Sequence, residues 1–369
     1  YRELRSSLAG RGARFQTSSD TEVLLRLYEV EGERCVERLD GMFAFAVWDG
    51  RRQRLFLARD RVGKKPLFYC STPGLFAFAS EIKALLCHPS VPCEILPSSL
   101  PHYFFFGYSP SPHTFYRNIF EIPPAHTLTV DAVGRMELKG YWDLNFNGQS
   151  AKDLSIIEAA SRVRDLLTEA VRKRLVADVP LGAFLSGGID SSIVVGLMSQ
   201  MSQEPVKTFS IGFAGDKSFD ETEYARLVAS HFRTHHTEFI VEPKAIDLIE
   251  PLVWHHDGPF GDSSAIPTFL VAQLTRKQVT VALNGDGGDE LFAGYLRFYA
   301  AVLAERIPGL LLLAGEKTLS AIPEYANYPH WLRRAQRFLR GASCPFFERF
   351  SRWVSYFNDD LSLLLRKEI

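Results

Sequence analysis

The sequence predicts an α/β protein in two parts, and three observations carry that expectation. Residues 1–145 hold short aromatic and branched runs broken by turn dipeptides, the pattern of layered sheets. From about residue 151 to 369 strand and helix patterns alternate, which argues a doubly wound parallel sheet. The chain has 369 residues with 46% apolar and 23% charged, enough for two or three well-cored domains.

In the first part YRELRSSL reads as a helix, and TEVLLRLYEVEG, 21–32, has apolar residues at helical spacing. GMFAFAVWDG, 41–50, is a short apolar run closed by Asp-Gly; RLFLARD, PLFYCS and LFAFASEIKALL follow. Pro and Gly cluster at 97–124, which reads as loops between strands. DLNFNGQSAKD, 143–153, is polar and glycine-containing and makes a linker. A long amphipathic helix is predicted from about Ser155 to Ala177. Then come strand PLGAFL, helix SSIVVGLMSQM, strand VKTFSIGF, helix ETEYARLVASHF and strand HHTEFIV. Helix IPTFLVAQLTRK, strand VTVALNG and one helix ELFAGYLRFYAAVLAE complete the alternation.

Composition narrows the function classes. A net charge of −1 argues against a nucleic-acid binder, no apolar run reaches membrane-spanning length, and no basic-then-apolar leader opens the sequence. Cys35, Cys70, Cys87, Cys93 and Cys344 are scattered and odd in number, which suggests reduced thiols and a cytoplasmic protein. The histidine pairs 235–236 and 255–256 lack the i, i+4 spacing of helical zinc ligands. The chain starts at Tyr1 and stops in the helical pattern LLLRKEI, so it reads as an internal piece of something longer.

FLSGGIDSS, 184–192, leaves a strand and opens a helix. Glycines let backbone N–H groups turn toward an anion, and the helix start adds free N–H groups and a positive dipole end. Ser186, Ser191 and Ser192 add hydroxyls, while the Asp190 carboxylate would repel phosphate unless a cation such as Mg²⁺ lies between them. The loop lacks the lysine of GxxxxGK[ST], and GxGxxG is absent. A plain capped helix start is the competing reading. SGGIDSS resembles the pyrophosphate loop of ATP pyrophosphatases, which cleave ATP between its α and β phosphates and adenylate a substrate.

VALNGDGGDELFAGY, 281–295, is a second polar turn at a strand end, with Asp286, Asp289 and Glu290 among three glycines. It does not meet the calcium-loop spacing; an acidic helix cap is the bland alternative. The stretch resembles the second signature of the asparagine synthetases. That resemblance implies that Asn284, in place of the usual serine, and Gly285 touch the nucleotide, together with Phe184, Leu185, Ser186, Gly187, Gly188, Asp190 and Ser191. It implies that Asp289 joins Asp190 around Mg²⁺ and pyrophosphate, that Asp286 assists ammonia attack, and that Ile211 in VKTFSIGF contacts adenine. Asp262, Ser263 and Ser264 in DGPFGDSSAIPTFLVAQLTR would line the aspartate or adenylate pocket.

FQTSSDTEVLLRLYEVEG, RLDGMFAFAVWD, LARDRVGKKPLFY and FASEIKALL in turn resemble the glutaminase half of the glutamine-hydrolysing members. The implied fold is an αββα sandwich of the N-terminal nucleophile hydrolase type over 1–145, followed by an ATP pyrophosphatase domain over 151–369. Asp20 would hold the glutamine α-amino group, and it also reads as a helix N-cap. The family's N-terminal cysteine nucleophile and a late pyrophosphate-site lysine have no match here, so both ends are expected to be missing. The implied activity is ATP-dependent amidation of aspartate, with ATP and Mg²⁺ as cofactors. Aspartate, glutamine or ammonia, and ATP are the implied partners; a homodimer is compatible, and neither nucleic acid nor membrane is expected. Relatives that act on other carboxylates, and an inactive remnant, are the rival readings.

Overall fold

The structure, a computed structural model, describes residues 1–145, 154–214, 221–242, 245–320, 330–357 and 361–365. Most of the expected linker, 146–153, and the last residues of LLLRKEI, 366–369, lie outside them. The chain divides into two units, Tyr1–Tyr103 with Tyr108–Gly148 and Ser362–Ile369, and Phe104–Gly107 with Gln149–Leu361.

In the first unit helices α1 (Arg2–Gly10) and α2 (Asp20–Glu31) precede strands β1 (Ala44–Asp49), β2 (Arg54–Arg59), β3 (Phe68–Thr72) and β4 (Leu75–Ala79). Short helices α3 (Ile82–Leu86) and α4 (Leu100–Phe106), then β5 (Ile119–Glu121), β6 (His126–Asp131) and β7 (Met136–Gly140), complete the order. Two antiparallel sheets form, β1-β2-β6-β7 and β4-β3-β5. The side-chain alternation of β2 stacks the layers: Phe56 and Ala58 pack with Leu8, Val23 and Leu27 of the helices, while Leu55 and Leu57 face Tyr69 and Phe76 of the second sheet. On that sheet's outer side Cys70, Leu75 and Ala77 pack on Ile82 and Leu85 of α3. The result is the expected αββα sandwich. Each fully buried Phe or Leu in these layers contributes about 1.5–3 kcal/mol through loss of apolar surface to water. The 97–124 stretch, expected as loops, instead forms a 3₁₀ turn Pro97–Ser99, α4 and β5. Its Pro97 sits at the start of a turn, where a missing N–H does no harm.

The second unit opens with α5 (Ile156–Arg174), whose start is fixed by a capping box between Ser155 and Glu158. There follow β8 (Leu181–Phe184), α6 (Ile189–Met201), β9 (Lys207–Phe213), α7 (Thr222–Phe232) and β10 (His235–Val241). Helices α8 (Ala245–His256) and α9 (Ala265–Thr275) lead to β11 (Val281–Leu283). The four strands are all parallel, in the order β10-β9-β8-β11. Ala183 of β8 and Leu185 just after it pack with Val171 of α5, Val195 and Met198 of α6, and Ala225 and Ala229 of α7. The single helix expected over ELFAGYLRFYAAVLAE is two: α10 (Gly288–Phe292) and α11 (Leu296–Arg306). Ala293 takes a left-handed conformation between them, and Asp289 Oδ1 occupies the place that a Cβ on Gly294 would need. Helices α12 (Gly309–Ser320), α13 (His330–Ala342), α14 (Phe346–Val354) and α15 (Leu361–Leu364) follow, with Ala304, Leu312, Ala342 and Trp353 as a helical core. Among the described residues no single helix is long and apolar enough to cross a membrane.

Candidate active site

The parallel order makes the site. From β8 the chain moves outward to β9 and β10, then returns to β11 on the other side of β8. That reversal is a switch point, where two neighbouring strands send their loops in opposite directions and leave a crevice. Both polar turns leave from these two strands: Leu185–Gly188 follows β8 and Asn284–Gly287 follows β11.

In the first turn Gly187 has φ +84, and a Cβ there would lie 2.5 Å from the Tyr224 backbone of α7. Only glycine meets both demands. Gly188 caps α6, and its N–H donates to Ser186 Oγ at 3.2 Å. Ser191 and Ser192 donate their hydroxyls to the Gly188 carbonyl at 3.2 and 2.7 Å, and Ser186 and Ser191 hydroxyls meet at 3.0 Å. The serines therefore shape the loop, while the first-turn amides of α6 have no acceptor within the helix.

The second turn packs on the first through Asp190. A Cβ on Gly285 would stand 2.8 Å from both Asp190 Cβ and the Ser191 nitrogen, and one on Gly288 would stand 2.6 Å from Asp190 Oδ2. Gly285 thus leaves room for the Asp190 Cβ and the start of α6, and Gly288 for the Asp190 carboxylate. Gly287, at φ +93, turns the chain into α10. The Asn284 amide donates to Asp286 Oδ2 at 2.5 Å. Asp289 is turned toward Gly294. Glu290 accepts from the Tyr295 hydroxyl at 2.7 Å, a bond that pushes the Tyr295 pKa up, and Arg297 stacks over the Tyr295 ring at 4.0 Å.

Ile211 sits on β9 two residues past Phe209, the last β9 residue paired with β8, and pairs with Phe239 of β10. Asp262 closes a turn onto Ser264 N at 2.8 Å before α9; no described contact joins Asp262, Ser263 or Ser264 to the two polar turns. Asp20 lies in the first unit. There Ser19, not Asp20, caps α2, while Asp20 is the first helical residue and accepts from Thr21 N at 2.8 Å. Glu22 clamps the preceding loop by accepting from Gln16 N, Thr17 N and the Thr17 hydroxyl, the first of which does most to hold its carboxyl at about 2. The S-x-x-E spacing of Ser19 and Glu22 was the available signal for that clamp. All five cysteines are free; burial pushes Cys35 up to about 12, so its thiolate is out of reach at neutral pH.

Among the described residues no group of three or more His, Cys, Asp or Glu side chains is placed to hold a metal. Asp190 and Asp289 each offer the hard carboxylate oxygen that Mg²⁺ takes, an ion that completes its shell with phosphate and water oxygens; Asp190 lies against Gly288 while Asp289 is turned toward Gly294, and no described contact joins the two carboxylates. A hollow of about 340 Å³ lined by Arg11, Arg14, Arg26 and Glu29 lies between α1 and α2 and contains none of these residues.

The family model described as asparagine synthase matches residues 162–355, more than half of the chain, and a glutamine amidotransferase domain model matches residues 1–142. A putative glutamine-hydrolyzing asparagine synthetase 2 of Methanocaldococcus jannaschii is 39% identical over 82% of this chain and 59% of its own length. Glutamine-hydrolyzing asparagine synthetase 1 of Bacillus subtilis is 36% identical over 84% of this chain and 48% of its own. Amidase chyE of Penicillium rubens is 34% identical over 79% of this chain and 45% of its own. The chain thus spans about half the length of the curated relatives it matches. On these matches, and with both polar turns meeting at the switch point of the parallel sheet, the chain belongs to the asparagine synthase family.

Proposed function

We propose that residues 151–369 form an ATP pyrophosphatase domain that adenylates a carboxylate, and that residues 1–145 derive from a glutamine amidotransferase domain. The observation that carries this reading is Asp190, its Cβ against Gly285 and its carboxylate against Gly288, which joins two anion-suited turns into one crevice. The whole reaction would be that of glutamine-hydrolysing asparagine synthetase. The aspartate β-carboxylate attacks the α-phosphate of ATP, and pyrophosphate leaves with the electrons of the α–β bridge. Ammonia from glutamine then attacks the acyl carbon; the carbon–oxygen bond to AMP breaks, and one proton passes from nitrogen to Asp286. The amides of the α6 start, Gly285 and the Ser186 loop hold the phosphates, with adenine against Ile211. Mg²⁺ held by Asp190 and Asp289 would offset the charge gathering on the phosphate oxygens. In the first unit Asp20 would receive the glutamine α-amino group.

The similarity to archaeal and bacterial proteins named as asparagine synthetases supports aspartate as substrate. The match to amidase chyE supports a second reading, the same ATP chemistry on another carboxylate. Five free cysteines support a reducing, cytoplasmic setting. Exchange of labelled pyrophosphate into ATP, with a panel of carboxylates, tests the proposal. Aspartate-dependent exchange that disappears in Asp190→Ala is the expected result. Full exchange in that variant would remove Asp190 from the site, and exchange with other carboxylates alone would favour the second reading.

A further inference from the structure

We infer that Asn284 is a positioning residue that aims the Asp286 carboxylate, an inference that rests on the functional reading of Asp286 given above. Asp286 stands between Gly285 and Gly287, so no adjacent side chain limits its rotamers. Among the described residues its carboxylate has one hydrogen-bond partner, the Asn284 Nδ2 at 2.5 Å. The bond is returned on the other side of the amide, where the Asp286 N–H lies 3.4 Å from Asn284 Oδ1. Each end of the Asn284 side chain thus makes a bond to residue 286. A charge-assisted bond of this kind fixes Oδ2 and leaves Oδ1 as the free acceptor for a proton. A base held in one geometry reacts without first losing rotamer freedom.

The pairing also sets a length rule. Asn→Ser withdraws the donor by about one bond length, ~1.5 Å, and Asp→Glu advances the acceptor by a similar amount. Each change alone breaks the pair, and the two together restore contact. An asparagine at 284 thus goes with an aspartate at 286, and a serine there would go with a glutamate.

The test uses the full chain with ATP, Mg²⁺, aspartate and ammonium, in the wild type and in Asn284→Leu, Asn284→Ser, Asp286→Glu and Asn284→Ser/Asp286→Glu forms. The expected loss in kcat for ammonia-dependent product is about tenfold or more in each single variant, the scale of one lost hydrogen bond to a charged group. The KM for ATP stays within about twofold in all of them, and the double variant regains most of kcat, as a base that is merely re-aimed should. A raised KM for ATP with unchanged kcat in Asn284→Leu would make Asn284 a nucleotide contact and overturn the inference. A double variant no better than the single ones would overturn it too. Should the wild type make no product from any carboxylate, the functional reading fails, and the side-chain amide NMR signal of ¹⁵N-labelled Asn284 still decides this one. Asp286→Ala is expected to move that signal, and an unmoved signal overturns the pairing.

Discussion

Glycines decide the site at the scale of single residues. Gly288→Ala would place a methyl group on the Asp190 carboxylate, so MgATP binding is expected to fall about tenfold or more with the far-ultraviolet spectrum unchanged; equilibrium dialysis checks it. Gly187→Ala carries two faults, a left-handed φ and a clash with the Tyr224 backbone, and is expected to lower stability by about 1–3 kcal/mol in urea unfolding. The sequence made the glycine-rich turns and Asp190 visible because strand, turn and helix patterns are local. It could not show that Gly285 and Gly288 are small on account of Asp190, nearly a hundred residues away, because that contact depends on β11 returning beside β8. Nor could it show the serines of the first turn bonded inward to Gly188.

At the scale of elements, β9 and β10 share a buried polar seam. His236 has Thr208 Oγ1 at 3.0 Å from Nδ1 and Ser210 Oγ at 3.2 Å from Nε2, and Thr208 also meets Thr234 at 2.7 Å. Burial, more than any charge, pushes the His236 pKa below its usual 6.5; Glu238 opposes the shift and Arg226 reinforces it. The folded state then binds fewer protons than the unfolded chain below about pH 6.5, so this contribution is complete above that pH and is lost as the pH falls. His236→Gln, which keeps a donor and an acceptor but cannot titrate, is expected to flatten the stability–pH curve below about pH 6.5 in urea titrations. Period and turn signals made every strand of this sheet legible. The break between α10 and α11 was hidden, because ELFAGYLRF keeps helical spacing across Gly294 and only the Asp289 side chain shows why the helix stops.

At the scale of the whole molecule, each unit has its own core, and the second carries a helical cluster beyond its sheet. Trp353 joins that cluster, buried against Gly341 and donating to the Phe338 carbonyl at 3.4 Å. Trp353→Ala is expected to cost about 3–5 kcal/mol in denaturant unfolding, the scale of a large ring removed from a core. The central claim is that the turns after β8 and β11 form one nucleotide site. A crystal structure of the chain with Mg²⁺ and an α,β-methylene ATP analogue tests it most directly. The phosphates are predicted between Ser186–Ser191 and Gly285–Asp289, with the base beside Ile211. Nucleotide density elsewhere, for example in the arginine-lined hollow between α1 and α2, with the crevice at the switch point empty, would contradict it.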